Sequence, residues 1–152
     1  MAGLGNRPAI IPAVSYQDPR KALDWLGKAF GFEIEMVIED ENGNPMHSEM
    51  RYGDGLVMIG SEWNEDTKSP ASLGRKCTQT VHIHMTEDID AHCARAEKAG
   101  AEILARPDTQ FYGDRTYRAR DPEGHIWTFG QTVTAMTPAE WDKVGGTRTR
   151  LK

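Results

Sequence analysis

Gly31-Phe32-Glu33-Ile34 returns 69 residues later as Gly100-Ala101-Glu102-Ile103. In both places a glycine closes a stretch with helical spacing and opens an extended one, and that coincidence decides the fold. Before the first copy, Ala22, Leu23, Leu26, Ala29 and Phe30 fall on one helical face, behind Asp18 as N-cap and Pro19 as first helical residue. Before the second, Ile89, Cys93 and Ala96 do the same behind Asp88. Asp18 and Asp88 lie 70 residues apart, and Gly55 and Gly124 lie 69 apart. A period this long marks duplication of one supersecondary unit, not a solenoid.

Outward from these landmarks the chain reads as two copies of β-α-β-β-β. Residues 9–16 form the first strand, with Pro12 suited to an edge or bulge because it cannot donate to a ladder. Residues 32–38 alternate as a strand, residues 41–45 turn around Asn42-Gly43, and residues 46–52 and 56–60 are two further strands. In the second copy residues 80–86, 101–104, 115–120 and 125–130 extend, residues 108–114 loop, and Asp121-Pro122-Glu123-Gly124 turns. The expected fold is α+β: a single domain over residues 1–152, with βαβββ modules at 8–64 and 77–132. A polar linker joins them at 65–76, and a tail at 133–152 carries a short helix with Thr137, Pro138 and Glu140 as a capping box.

Composition narrows the function. A chain of 152 residues with 38% hydrophobic residues and four each of Trp, Tyr and Phe can bury a core. Its formal net charge of -5 argues against nucleic acid as a partner, since phosphate neutralisation needs a concentrated positive surface. No apolar run approaches the roughly 18 residues of a membrane helix, and the start of the chain has no apolar signal core. The expectation is a cytoplasmic protein with no membrane partner. Cys77 and Cys93 read as two reduced thiols, neither activated. Gly3-Leu4-Gly5 and Gly145-Gly146 lack the strand–loop–helix context of a phosphate loop.

One helix covers only one face of a four-stranded sheet, so each module leaves a face bare. Two such faces curved around a cavity make a small-molecule site.

Three phrases carry a resemblance: residues 22–32 (Ala-Leu-Asp-Trp-Leu-Gly-Lys-Ala-Phe-Gly-Phe), Tyr112-Gly113-Asp114-Arg115, and residues 121–130 (Asp-Pro-Glu-Gly-His-Ile-Trp-Thr-Phe-Gly). With the paired modules they resemble the vicinal-oxygen-chelate superfamily of glyoxalase I, extradiol dioxygenases and bleomycin-resistance proteins, over about residues 8–132. The resemblance implies the superfamily fold. It does not name a reaction, because the fold hosts lyases, epimerases, oxygenases and pure binders.

Its enzymes hold a divalent metal through residues on the first and fourth strands of the modules. By the familiar spacing the first-strand positions here are Ile11 and Val81, and the fourth-strand positions are Ile59 (or Met58) and Thr128. These are no ligand set, so no metal and no other cofactor is expected. His82 and His84 share a face opposite Val81, Ile83 and Met85, and point into the cavity if the apolar face packs on the helix. They read either as polar residues satisfied by hydrogen bonds, as ligand-binding groups, or as the start of a displaced metal site.

The candidate ligand-binding residues are His47, Glu49, Trp63, His82, His84, Tyr112, Arg115 and Thr128. His47 and Glu49 alternate on one strand as a potential acid/base couple. Trp63 offers a stacking surface, and Arg115 beside Tyr112 could hold an anion or pin a turn. Trp127 and Phe129 belong to the helix side, Trp25 to a core or a dimer contact, and His92 and His125 to structural or solvated positions.

Three readings of function follow. The first is a metal-free protein that binds and sequesters an antibiotic or other aromatic compound. The second is a metal-dependent glyoxalase-like lyase or extradiol-type dioxygenase using His82, His84, His47 and Glu49. The third is a metal-independent acid/base enzyme. The resemblance also implies a homodimer with shared clefts, which would hide open sheet edges.

Overall fold

The computed structural model describes residues 6–152. Gly3-Leu4-Gly5 and most of the stretch searched for a signal core lie outside the described residues. The first module runs β1 (Ala13–Tyr16), α1 (Pro19–Phe30), β2 (Glu33–Glu39), β3 (Pro45–Tyr52) and β4 (Gly55–Ser61). The second runs β5 (Val81–His84), α2 (Ile89–Lys98), β6 (Glu102–Thr109), β7 (Asp114–Arg120) and β8 (Ile126–Thr132), and α3 (Pro138–Gly145) follows. The strand orders are β1-β4-β3-β2 and β5-β8-β7-β6, each mixed, with the first strand parallel to the fourth. This is the α+β pair of βαβββ modules expected from the duplication. Among the described residues no helix is long and apolar enough to cross a membrane.

Local chemistry sets the helix ends. The Asp18 carboxylate accepts from the Lys21 N–H at 3.1 Å, and Asp88 accepts from the Asp90 and Ala91 N–H groups. Gly31 closes α1 at φ 76°, a left-handed conformation that β-carbons disfavour, and a Cβ there would lie 3.0 Å from the Arg95 guanidinium. The two helices cap each other. Arg95 of α2 donates to the carbonyls of Gly27 and Lys28 at the end of α1, while Trp25 of α1 donates its indole N–H to the Ala99 carbonyl just past α2. Each helix thus supplies side-chain donors to carbonyls at the other's C-terminal end, the Gly27 carbonyl also taking the Gly31 N–H. Trp25 is therefore an intrachain clamp between the helices.

Several boundaries differ from the expectation. β1 starts at Ala13, because Pro12 can only accept, taking the Met58 N–H on its carbonyl at 2.9 Å. β5 ends at His84. β6 continues through Pro107 to Thr109, so residues 110–113 alone form the loop. An edge strand tolerates that proline, and two register shifts between Ile103 and Asp108 absorb it. The polar linker contains a 3-10 turn, Pro70–Leu73, whose Pro70 is buried.

The helix sides of both sheets merge into one core. Phe30 of α1 packs on Phe32, on Trp127 and Phe129 of β8, and on His92 of α2, with ring centroids 4.8–6.1 Å apart. Trp127 and Phe129 are fully buried there. Among the described residues no helix packs on the opposite face of either sheet.

Candidate functional site

The strand registers show which side chains share the bare faces. On the first sheet Glu49 lies opposite Met58, and Met58 opposite Ala13, while their neighbours Met50, Val57, Ile59 and Val14 are buried in the core. On the second sheet His82, Thr128 and Arg118 form one row across β5, β8 and β7, and His84, Gly130 and Thr116 the next. Their neighbours Trp127, Phe129, Tyr117 and Ala119 are buried.

The first bare face holds a charge cluster. Glu49 is only 1% exposed, because Arg7 lies across it with two hydrogen bonds of 2.7 Å, and the His47 Nε2 sits 2.9 Å from the same carboxylate. The Arg7 hydrogen bonds, opposed by burial and aided by His47, hold the Glu49 carboxyl down at about 2. Glu49 is thus a fixed anion that orients the imidazole of His47 and is not itself poised to take a proton. Beside it Arg51 and Glu35 pair through two 2.9 Å bonds, so this face neutralises its own charges.

The second bare face is different. Arg118 donates its Nε–H to the Thr128 hydroxyl at 3.1 Å, and His82 and His84 project from the exposed edge strand. Gly130 lets the His82 imidazole lie close over the strand: a Cβ there would meet the His82 Nε2 at 3.1 Å and the Thr116 methyl at 3.5 Å.

The eight sequence candidates therefore fall into separate places. His47 and Glu49 meet on one bare face, and His82, His84 and Thr128 on the other. Tyr112 lines a recess of about 720 Å³ under α3 with Phe111 and Trp141. Arg115 turns away from the bare face and grips Asp90 at the start of α2 with two 2.8 Å bonds. Trp63 is 74% exposed and touches none of these groups. Two site residues escaped the sequence reading. Arg118 was within reach, since buried Tyr117 and Ala119 put it on the bare side by alternation. Arg7 lies 42 residues from Glu49 in an irregular segment and left no local signal.

An apolar recess of about 410 Å³ lies elsewhere, between α1 and the 121–123 turn, floored by Ala22, Trp25 and Leu26. Its buried polar groups, Asp121 and the Tyr16 hydroxyl, are already paired. Asp121 accepts from the N–H groups of Glu123, Gly124 and His125, from the Tyr16 hydroxyl at 2.6 Å and from the Trp127 indole at 3.1 Å. Burial, reinforced by the Asp121 charge, pushes the Tyr16 hydroxyl well above its ordinary value and keeps it a donor.

A divalent metal of the kind this fold can hold does not fit the residues present. The spacing rule landed on Ile11, which precedes β1, and on Val81, which faces the helix side opposite Trp127. The bare-face positions where first and fourth strands pair are Ala13, Ser15, Met58 and Gly60 in one module, and His82, His84, Thr128 and Gly130 in the other. They offer two imidazoles and two hydroxyls but no carboxylate, and the Thr128 hydroxyl has the permanent positive charge of Arg118 beside it. Among the described residues no three His, Cys, Asp or Glu side chains converge on a metal position.

Comparisons with known proteins agree with this architecture. The chain is 32% identical over 137 residues to Rv0887c of Mycobacterium tuberculosis strain H37Rv, covering 88% of this chain and 79% of that one. Among solved structures, TioX from Micromonospora sp. ML1 superposes with a TM-score of 0.67 at 32% identity, over 84% of this chain and 99% of the other. TnmS3, an antibiotic binding protein from Streptomyces sp. CB03234, superposes with a TM-score of 0.62 at 20% identity, over 86% and 99%. The sequence model of the Glyoxalase/Bleomycin resistance protein/Dioxygenase superfamily matches residues 11–129, and the chain belongs to that superfamily.

Proposed function

We propose that this chain is a cytoplasmic, metal-free binding protein that sequesters a small aromatic or antibiotic-like molecule against its bare sheet faces. The observation that carries the reading is the row His82–Thr128–Arg118, where a guanidinium occupies the neighbourhood a catalytic cation would need. A few convergent hydrogen-bonding groups are what orient a ligand in a site. The fold shared with an antibiotic binding protein supports the reading at the level of architecture. Both bare faces lie open in one chain, so a homodimer that brings two of them together would complete the cleft.

The test is fluorescence titration with N-phenyl-1-naphthylamine, before and after exhaustive dialysis against EDTA. The reading expects saturable binding of unchanged affinity, and metal analysis finding well under one equivalent of any divalent ion. Loss of binding on EDTA treatment, restored by one metal, would overturn it.

A second reading, a metal-independent acid/base enzyme, draws on His47. Its imidazole is oriented by an anionic Glu49 and is itself part-exposed on the bare face. Turnover of a bound compound that His47→Gln abolishes while binding persists would favour that reading over sequestration.

A further inference from the structure

We infer that the ligand is an acid, and that Arg118 is the residue that selects it. This deepens the binding reading above and rests on it. Five arginines lie on the second sheet and its counterpart strands: Arg51, Arg106, Arg115, Arg118 and Arg120. Four of them are matched to carboxylates, Arg51 to Glu35, Arg106 to Glu97, Arg115 to Asp90 and Arg120 to Glu102. Among the described residues Arg118 has the Thr128 hydroxyl as its sole side-chain partner, and it is exposed at the middle of a bare face.

The geometry of that contact matters. Thr128 takes the Nε–H, so the end of the guanidinium, with its two Nη groups side by side, remains open. A planar fork of this kind matches the two oxygens of a carboxylate, which a single ammonium cannot reproduce. His82 lies on the far side of Thr128 in the same row, with its imidazole close over Gly130, and His84 lies in the next. The imidazoles are suited to neighbouring oxygens of the ligand or to stacking on the flat ring that carries them.

Charge on the surrounding elements favours the same sign. Of the acidic groups on this face, Asp108 sits opposite Thr116 on the edge strand β6, and Asp114 already accepts from the Thr132 hydroxyl at 2.7 Å. Glu102 is engaged by Arg75 and Arg120. No carboxylate stands in the row of Arg118, which runs from Ala105 through Thr128 to His82. The other bare face neutralises itself through the Arg7–Glu49 and Arg51–Glu35 pairs, so it neither attracts nor repels an anion strongly.

The experiment compares 2-naphthoate with 2-naphthamide, which share ring and size and differ in charge, by ligand-observed NMR titration of the full chain. The proposal expects the acid to bind at least about tenfold tighter, the effect of about 1.4 kcal/mol. In Arg118→Gln that preference should fall towards one, in Arg118→Lys it should be intermediate, and in Arg20→Gln, an equal charge loss on α1, it should persist. Equal affinity for the two probes, or a preference untouched in Arg118→Gln, would overturn the acid proposal while leaving the binding reading intact. Binding of neither probe would overturn both.

Discussion

Asp121 accepts five hydrogen bonds from two modules, and its phrase is the most specific in the chain because each of those bonds needs that carboxylate. Removing it would leave the Tyr16 hydroxyl and the Trp127 indole unpaired in the core. Asp121→Ala should cost about 3 kcal/mol in urea unfolding, and a loss below about 1 kcal/mol would show that the turn holds itself. His92 makes a second buried node, with the Tyr117 hydroxyl at 2.6 Å on Nδ1 and the Phe30 carbonyl at 2.8 Å on Nε2. Those partners assign the proton to Nε2, and burial lowers the imidazole below its ordinary value. The native state then binds fewer protons than the unfolded one, so this stabilisation is full above about pH 6.5 and is lost as pH falls below it. Urea midpoints should decline between pH 7.5 and 5.5, and the decline should flatten in His92→Gln; an unchanged slope would contradict the assignment. At Glu49, Arg7→Ala should let the carboxyl rise from about 2 towards 4.5, read by carbon-detected NMR titration. A value still near 2 would mean that His47 alone holds the charge.

Elements were legible where local chemistry decides them. Capping aspartates, closing glycines and the Asn42-Gly43 turn each act within a few residues, so both helices and all eight strands could be placed from sequence. Strand lengths were less so. Whether Pro107 ends a strand depends on whether that strand is an edge, and the edge is set by pairing partners far along the chain. The reciprocal clamp of Trp25 and Arg95 was illegible for the same reason, since it joins residues about 70 positions apart. Asp18→Ala and Asp88→Ala should each lower stability by about 0.5–2 kcal/mol without loss of ligand binding. No loss at either site would mean that these carboxylates do not hold the helix starts.

At the scale of the molecule, duplication explains why one chain carries two bare faces and one shared core. Periodicity put His47 with Glu49, and His82 with His84, on shared faces without saying which way the first pair turns, and alternation could have added Arg118. Arg7 could not be read, because an irregular segment has no period. Nor could the separation of Tyr112, Trp63 and Arg115, which depends on how loops and α3 fold back. A homodimer burying more than about 1,000 Å² of mainly apolar surface would cover what the single chain leaves open. Light scattering at tens of micromolar should then report twice the chain mass, and a monomer would remove the shared cleft. The most direct test of the central claim is amide NMR mapping of 2-naphthamide on the EDTA-treated protein. The account predicts that shifts concentrate on β5, β7 and β8 around His82, Arg118 and Thr128. Shifts confined to the α1 recess around Ala22, Trp25 and Leu26 would contradict it.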